Sequence, residues 1–524
     1  MKRTILFAAA MLAFVAVVDA QTVEMNMSQM RKLIMAEGAI TSLYVDEVDE
    51  NKLVESGIKA MLKDLDPHSQ YSNAEEVKKM NEPLQGNFEG IGVQFNIADD
   101  TLLVIQTVSG GPSQRVGILA GDRIVTVNDS AIAGVKMERD EIMKRLRGPK
   151  GTEVTLGVVR RGVPDRMTFV VTRDKIPVNT LEAAYMIAPK TGYIRLGSFG
   201  QTSHEEMAVA MDKLLKKGMK DLILDLQDNG GGYLQAAVEI ANEFLEAGQL
   251  IVYTEGRRVP RQDFVAPGGG RFRKGRLVVL VNEYSASASE IVTGAVQDWD
   301  RACVVGRRSF GKGLVQRPVP FPDGSMIRLT VAHYYTPCGR CVQKPYDDGD
   351  DNDYKMDLVN RFNNGELSSA DSIHFPDSLK YATKVLGRTV YGGGGIMPDI
   401  FVPIDTVSYT KYHRELVAKG VINQANLYFI DHYRKQWQKE YPTFAKYEKN
   451  FVVTDEMLDV VLKKAEEAKV TFDEEQYKAS QPLMRTQIKA LIARDLWDMS
   501  EYFEIINTTN ESVKAALDWL QTNP

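Results

Sequence analysis

The chain has 524 residues, 44% of them hydrophobic and 26% charged, with a formal net charge of −6. That length suits about three or four domains with sizeable cores. The mild acidity, with no basic stripe interleaved with aromatics, argues against a nucleic-acid binder. Three cysteines, Cys303, Cys338 and Cys341, offer a single C-x-x-C, so neither a disulfide framework nor a zinc or other metal centre is expected.

Lys2 and Arg3 precede an apolar run from Ile5 to Val18, followed by Asp19-Ala20. This is the pattern of a secretory signal peptide cleaved after Ala20, and the run is short for a bilayer span. The expected address is the periplasm or the exterior, where Cys338 and Cys341 could pair and leave Cys303 free.

From Met27 to about Pro83 the apolar spacing is helical: Met30, Leu33, Ile34, Ile40 and Leu43, then Leu53, Ile58, Met61 and Leu62. Asp66-Pro67-His68-Ser69 ends this segment, and His68 is expected to cap a helix end rather than act in catalysis. Ser56-Gly-Ile-Lys59, Tyr71-Ser72-Asn73 and Lys190-Thr191-Gly192 match elements of penicillin-interacting serine hydrolases. The first two stand too close together for that fold, so such a hydrolase is kept only as a rival reading.

Gly86 to about Lys175 reads as a separate small domain. Gly90-Ile91-Gly92-Val93 is a glycine-lined turn feeding a strand, followed by strands at Leu102–Val108 and Ile124–Asn128 and a helix carrying Ile142, Met143 and Leu146. The order resembles a circularly permuted PDZ domain. Turn N–H groups beside a strand edge can receive the carboxylate and backbone of an extended peptide. Arg147, in Leu146-Arg147-Gly148, is a candidate for coupling this domain to the rest of the protein, although a basic residue in a last helical turn also suits the helix dipole.

Ile176 to Pro403 alternates strands and helices, an α/β core. A buried strand, Asp221–Leu226, leads into Gln227-Asp228-Asn229-Gly230-Gly231-Gly232, where glycines let backbone N–H groups converge on one point. A second buried strand, Leu277–Val281, leads into Ser285-Ala286-Ser287-Ala288-Ser289-Glu290 and a helix. Such a turn presents a side chain at a strand end and aims free N–H groups at the same place. Ser285, Ser287 and Ser289 are equal candidates for a nucleophile on the local pattern. No histidine adjoins them, but Lys312 comes later in Ser309-Phe310-Gly311-Lys312-Gly313, and a buried, neutral lysine can serve as the base. Residues 347 to about 378 are acidic and polar and read as a mobile surface insertion. Thr406 to Pro524 reads as helices that pack or dimerise, without visible chemistry.

The runs VNEYSASASEI, GAVQDWDRA and GRRSFGKGLVQ, with YYTPCGR and GGGGIMPD, resemble the carboxyl-terminal processing peptidases, or tail-specific proteases. The likeness extends over roughly Met25 to Pro403, including the LDPHS segment. It implies Ser287 as nucleophile, twenty-five positions before Lys312 as base, Gln316 as the residue orienting that lysine, and Asp298 as a family aspartate of less settled role. It also implies an oxyanion hole from the Ala288 N–H and that of Gly231 or Gly232. In the family the glycine loop usually carries arginine and proline where this chain has Gln227 and Gly230.

The expected architecture is α+β and multidomain, with a crotonase-like protease core, an inserted PDZ domain and helical ends. The expected divisions are a signal peptide at 1–20, a helical segment at 21–85, a PDZ domain at 86–175, a peptidase core at 176–405 with an insertion at about 347–390, and a helical domain at 406–524. The expected function is an exported serine endopeptidase that captures free C-termini of protein substrates in its PDZ groove and needs no cofactor. Gly90, Ile91, Gly92 and Val93 would bind the peptide. A homodimer or higher oligomer and an adaptor protein stay open as partners, and a non-catalytic peptide-binding scaffold stays as the alternative.

Overall fold

The computed structural model describes residues 27–346 and 352–523. The expected signal peptide lies outside the described residues. The chain divides into two compact units, one ending at Leu65 and the other starting at Asp66.

The first unit contains helices Met27–Leu43 and Glu50–Lys63. Asp49 caps the second, accepting from the Lys52 N–H at 3.0 Å. The first leaves Leu33, Ile34, Met35 and Leu43 exposed.

The second unit carries a small antiparallel sheet ordered Val93–Ala98, Thr101–Thr107, Arg123–Val127, Glu153–Val159 and Met167–Thr172. Leu102, Val104, Ile124, Leu156 and Val158 pack there with Ile142 and Leu146 of helix Arg139–Leu146. Asp99 and Asp100, at φ 49° and 53°, make the two-residue turn joining the first two strands, with the twist such a hairpin requires. Val93–Ala98 ends this sheet, and Arg139 reaches from the helix to the Phe95 carbonyl at 3.5 Å.

The largest core surrounds a six-stranded sheet ordered Leu181–Ala188, Thr191–Leu196, Asp221–Asp225, Arg276–Val281, Cys303–Gly306 and Ile400–Phe401. Its first pair is antiparallel and the rest are parallel. Its central strands are largely apolar because both faces are covered, with Arg195 and Asp225 paired at 2.8 Å between two of them. Helices Ser203–Lys216, Leu234–Asn242 and Ala288–Asp298 pack on one face. The last helix, Glu511–Thr522, packs on the other, with Val513, Ala516 and Leu520 against Ile223, Val278 and Leu280. A second sheet is built on the long strand Met326–Tyr335, which pairs with Gln70–Ser72, Leu250–Glu255 and Leu314–Pro320.

Helices from Lys411–Ala418 to Met499–Ile506 form a bundle with its own core, including Trp437, Tyr447, Met484 and Ile488. The bundle grips the back of the small sheet. Leu427 packs on Leu103 and Ile105, Arg434 donates to the Ile105 carbonyl at 3.0 Å, and Arg123 pairs with Asp431 at 2.8 Å.

Part of the mobile loop expected from 347 to about 378 is a helix, Asn352–Asn363, and the stretch after it is turns with short 3-10 helices at Ala370–Ser372 and Asp377–Leu379. Tyr354 and Arg361 lie on one face of helix Asn352–Asn363, seven residues apart, and are only 7% and 2% exposed. Polar composition concealed a short buried stripe.

Candidate active site

Strands Asp221–Asp225 and Arg276–Val281 are parallel neighbours, so the loops at their carboxyl ends meet. Asn229 joins them. Its carbonyl accepts from the Ala286 N–H at 3.0 Å and from the Ser289 hydroxyl at 2.8 Å. Its side chain donates to the Leu196 carbonyl at 2.7 Å and accepts from the Gly231 N–H at 2.9 Å.

The three candidate serines separate here. Ser285 is fully buried and donates to the Leu226 carbonyl at 2.7 Å. Ser289 is fully buried and committed to Asn229. Ser287 alone of the three lines a cavity of about 610 Å³, together with Lys312, Gln316, Ala288 and Gly230–Gly232. Its backbone sits at φ 56°, ψ −113°, a conformation rarely adopted by a residue with a Cβ and one that tends to occur where the chain is held for function. Gly231 allows this closeness: a Cβ there would come within 2.8 Å of the Ala286 carbonyl oxygen and of Ser287 Cβ.

The N–H groups of Ala288 and Gly232 meet no protein acceptor among the described residues, whereas that of Gly231 is taken by Asn229. Of the two loop donors expected from the sequence, the geometry therefore leaves Gly232 available and gives Gly231 a spacing role.

Lys312 is fixed by its backbone and by Gln316. Its Nζ lies 3.3 Å from Gln316 Oε1, and the Gln316 amide nitrogen donates to the His68 carbonyl, which orients the amide. Lys312 Nζ and the Ser287 hydroxyl do not hydrogen-bond to one another in this state. Burial first, and the nearby Arg328 charge second, push the Lys312 ammonium below its ordinary range. His68 itself donates or accepts at Tyr354 Oη, 2.6 Å away, and burial together with the Lys312 charge holds it down at about 4.

Glu290 is the residue that motif reading passed over. Its buried carboxylate accepts from the Ser287 N–H at 2.8 Å, the Lys312 N–H at 2.9 Å, the Gly311 N–H at 2.7 Å and the Ser309 hydroxyl at 2.6 Å. Burial pushes its pKa up, and these donors oppose that shift. The signal was present: Glu290 stands three residues after Ser287 at a helix start, the spacing of a capping box. Tyr334 was also missed. Its hydroxyl lies 2.6 Å from the Lys312 carbonyl and 3.1 Å from that of Ser287.

The remaining expected residues lie elsewhere. Gly90, Ile91, Gly92 and Val93 line the start of the edge strand. The Ile91 carbonyl accepts from the Ser113 hydroxyl at 2.7 Å, and the N–H groups of Ile91 and Gly92 meet no protein acceptor among the described residues. Arg147 pairs with Glu82 and covers the Phe88 ring at 4.7 Å. Asp298 is fully buried against Arg340 at 2.6 Å and is not part of the cavity wall. All three cysteines are free thiols. Asn73 caps a helix and Lys190 occupies a turn at φ 66°, so these fragments of the penicillin-type pattern have local structural roles. Gln227, where the resemblance calls for arginine, bonds to Asn510 at 3.1 Å, which ties the glycine loop to the C-terminal helices.

Comparison with known proteins gives four matches along the chain: the N-terminal domain of the activating protease CtpB over residues 11–76, a PDZ domain over 90–171, peptidase family S41 over 190–356, and a family of unknown function over 412–498. The chain is 37% identical over 311 residues to a carboxy-terminal-processing protease of Bartonella bacilliformis, covering 58% of this chain and 70% of that protein. It is 36% identical over 318 residues to the carboxy-terminal processing protease CtpA of Bacillus subtilis, covering 60% and 67%. Among solved structures, the photosystem II D1 C-terminal processing protease is 25% identical, with 72% of this chain and 94% of that chain covered and a TM-score of 0.37.

Proposed function

The chain belongs to the carboxy-terminal processing proteases, PDZ-containing serine peptidases, and on that premise we propose that it cleaves peptide bonds with a Ser287–Lys312 dyad. The observation that carries the reading is that Ser287, Lys312 and the glycine loop share one cavity wall while Ser285 and Ser289 are bonded away from it. Ser287 Oγ attacks the substrate carbonyl. Lys312, whose ammonium form burial disfavours, takes the hydroxyl proton in its neutral form and returns it to the leaving amine. Gln316 orients the lysine, and the Ala288 and Gly232 N–H groups receive the oxyanion. Such a donor is worth about 3–4 kcal/mol in the transition state.

The absence of a Ser287–Lys312 hydrogen bond fits a site that tightens when substrate is bound. In this reading, residues 86–175 act as a PDZ domain that receives a free C-terminus at Gly90–Val93, ahead of a peptidase core at 176–405 and a helical domain at 406–524. Arg147, held by Glu82 at the edge of this domain, is the proposed coupling residue. The basic and apolar N-terminus supports export to the periplasm or beyond. The exposed apolar residues of helix Met27–Leu43 support self-association.

The test is digestion of an unstructured C-terminal tail by wild type, Ser287→Ala and Lys312→Met. Both variants are expected to fold and to lose cleavage. Retained activity in Ser287→Ala refutes the nucleophile.

A further inference from the structure

The cavity that holds Ser287 contains a second basic side chain, Arg328, and no carboxylate lines it. The guanidinium of Arg328, on strand Met326–Tyr335, has no hydrogen bond or ion pair among the described residues. Its Nε is buried and unsatisfied. Most other inward-facing arginines of this protein are paired: Arg195 with Asp225, Arg307 with Glu283 and Arg340 with Asp298. A half-buried guanidinium whose Nε is shut off from water without an acceptor is costly, and planar N–H groups of this kind match a carboxylate in shape and charge. Arg328 also lies close enough to Lys312 for its charge to disfavour the lysine ammonium. An unpaired cation held beside the general base, in a wall that also carries the apolar Leu84, Leu234, Ile291 and Met326 and the uncharged polar Asn81, Gln85 and Gln316, has the character of an anion site.

We propose that Arg328 is a specificity residue of the catalytic cleft, which binds a carboxylate of the substrate chain near the bond to be cut. The carboxylate comes either from an Asp or Glu side chain flanking that bond or from the terminus of a short tail lying in the cleft. This inference rests on the Ser287–Lys312 reading. It is separate from the capture of a C-terminus at Gly90–Val93, because Arg328 belongs to another sheet and those residues do not line its cavity.

The test uses the full chain and internally quenched peptides that differ at one position. Glu and Gln are exchanged at each site flanking the cleaved bond, and each peptide is made with a free and an amidated C-terminus. Wild type is expected to favour the carboxylate at one position by about tenfold or more in kcat/KM, the strength of a charge-assisted hydrogen bond. That preference should fall to about one in Arg328→Gln and weaken with added salt in wild type. A Glu-over-Gln preference identifies a side-chain source, and an acid-over-amide preference identifies the terminus. No carboxylate preference in wild type at any position overturns the inference without any variant. So does a preference that persists in Arg328→Gln. Ser287→Ala is run beside them. If it still cleaves, the dyad reading fails; if it is inactive while Arg328→Gln keeps its preference, only the Arg328 inference fails.

Discussion

The backbone N–H groups of Ser287 and Lys312 share a single acceptor, Oε2 of Glu290, at 2.8 and 2.9 Å. Two loops from distant parts of the sequence are thereby held in register by one buried carboxylate. Its other oxygen takes the Gly311 N–H and the Ser309 hydroxyl, so the lysine loop cannot shift without breaking bonds to the serine turn.

Glu290→Gln should therefore lower kcat by about a hundredfold, the scale of a small misplacement of reacting groups. An amide cannot accept at both ends, so at least one donor is orphaned, at about 1–3 kcal/mol. Single-turnover kinetics with a thermal melt checks this. An unchanged kcat would mean that the two loops are aligned by other contacts.

The pH dependence has a definite sign. Lys312 is held below the ordinary lysine range by burial and then by Arg328, and only the neutral amine can take a proton. Thus kcat/KM should rise with pH along a limb lying below that range. Removing the neighbouring charge in Arg328→Gln should move the limb to higher pH. The same depression makes the unfolded chain bind the proton more readily, so this group's contribution to stability also increases with pH across that window. His68 is held at about 4 and is neutral over the same range. His68→Gln should therefore leave the limb where it is.

The helix Asn352–Asn363 should matter for activity although it touches no substrate position. Arg361 donates to the Ser309 carbonyl at 2.8 Å and to the Phe310 carbonyl at 3.1 Å, and Tyr354 meets His68. Arg361→Met should destabilise the protein by about 1–3 kcal/mol for each carbonyl left without a donor. It should also reduce kcat more than it raises KM, because it loosens the loop carrying Lys312. Denaturant melts with steady-state kinetics read both effects. An unchanged melting midpoint would show that water replaces the guanidinium.

Much of the fold was legible because its signals are local. The apolar run Leu277–Val281, the glycine loop after Leu226 and the serine turn mark two buried strands and the loops at their carboxyl ends. Helical spacing marked Met27–Leu43 and the C-terminal bundle. The helix Asn352–Asn363 was missed because its buried face consists of one tyrosine and one arginine, and an arginine counts as surface until its acceptors are known.

The primary structure determined the chemistry on offer: three serines in one turn, a lysine between glycines and a glycine-rich loop, because strand and turn preferences act within a few residues. Only the tertiary structure decided which of those groups face open space. Burial and hydrogen bonding turned Ser285 and Ser289 into fixed parts of the scaffold and left Ser287 at the cavity wall. They also left Arg328 there with no acid to answer it. Such outcomes depend on partners dozens or hundreds of residues away, whose approach no local pattern encodes.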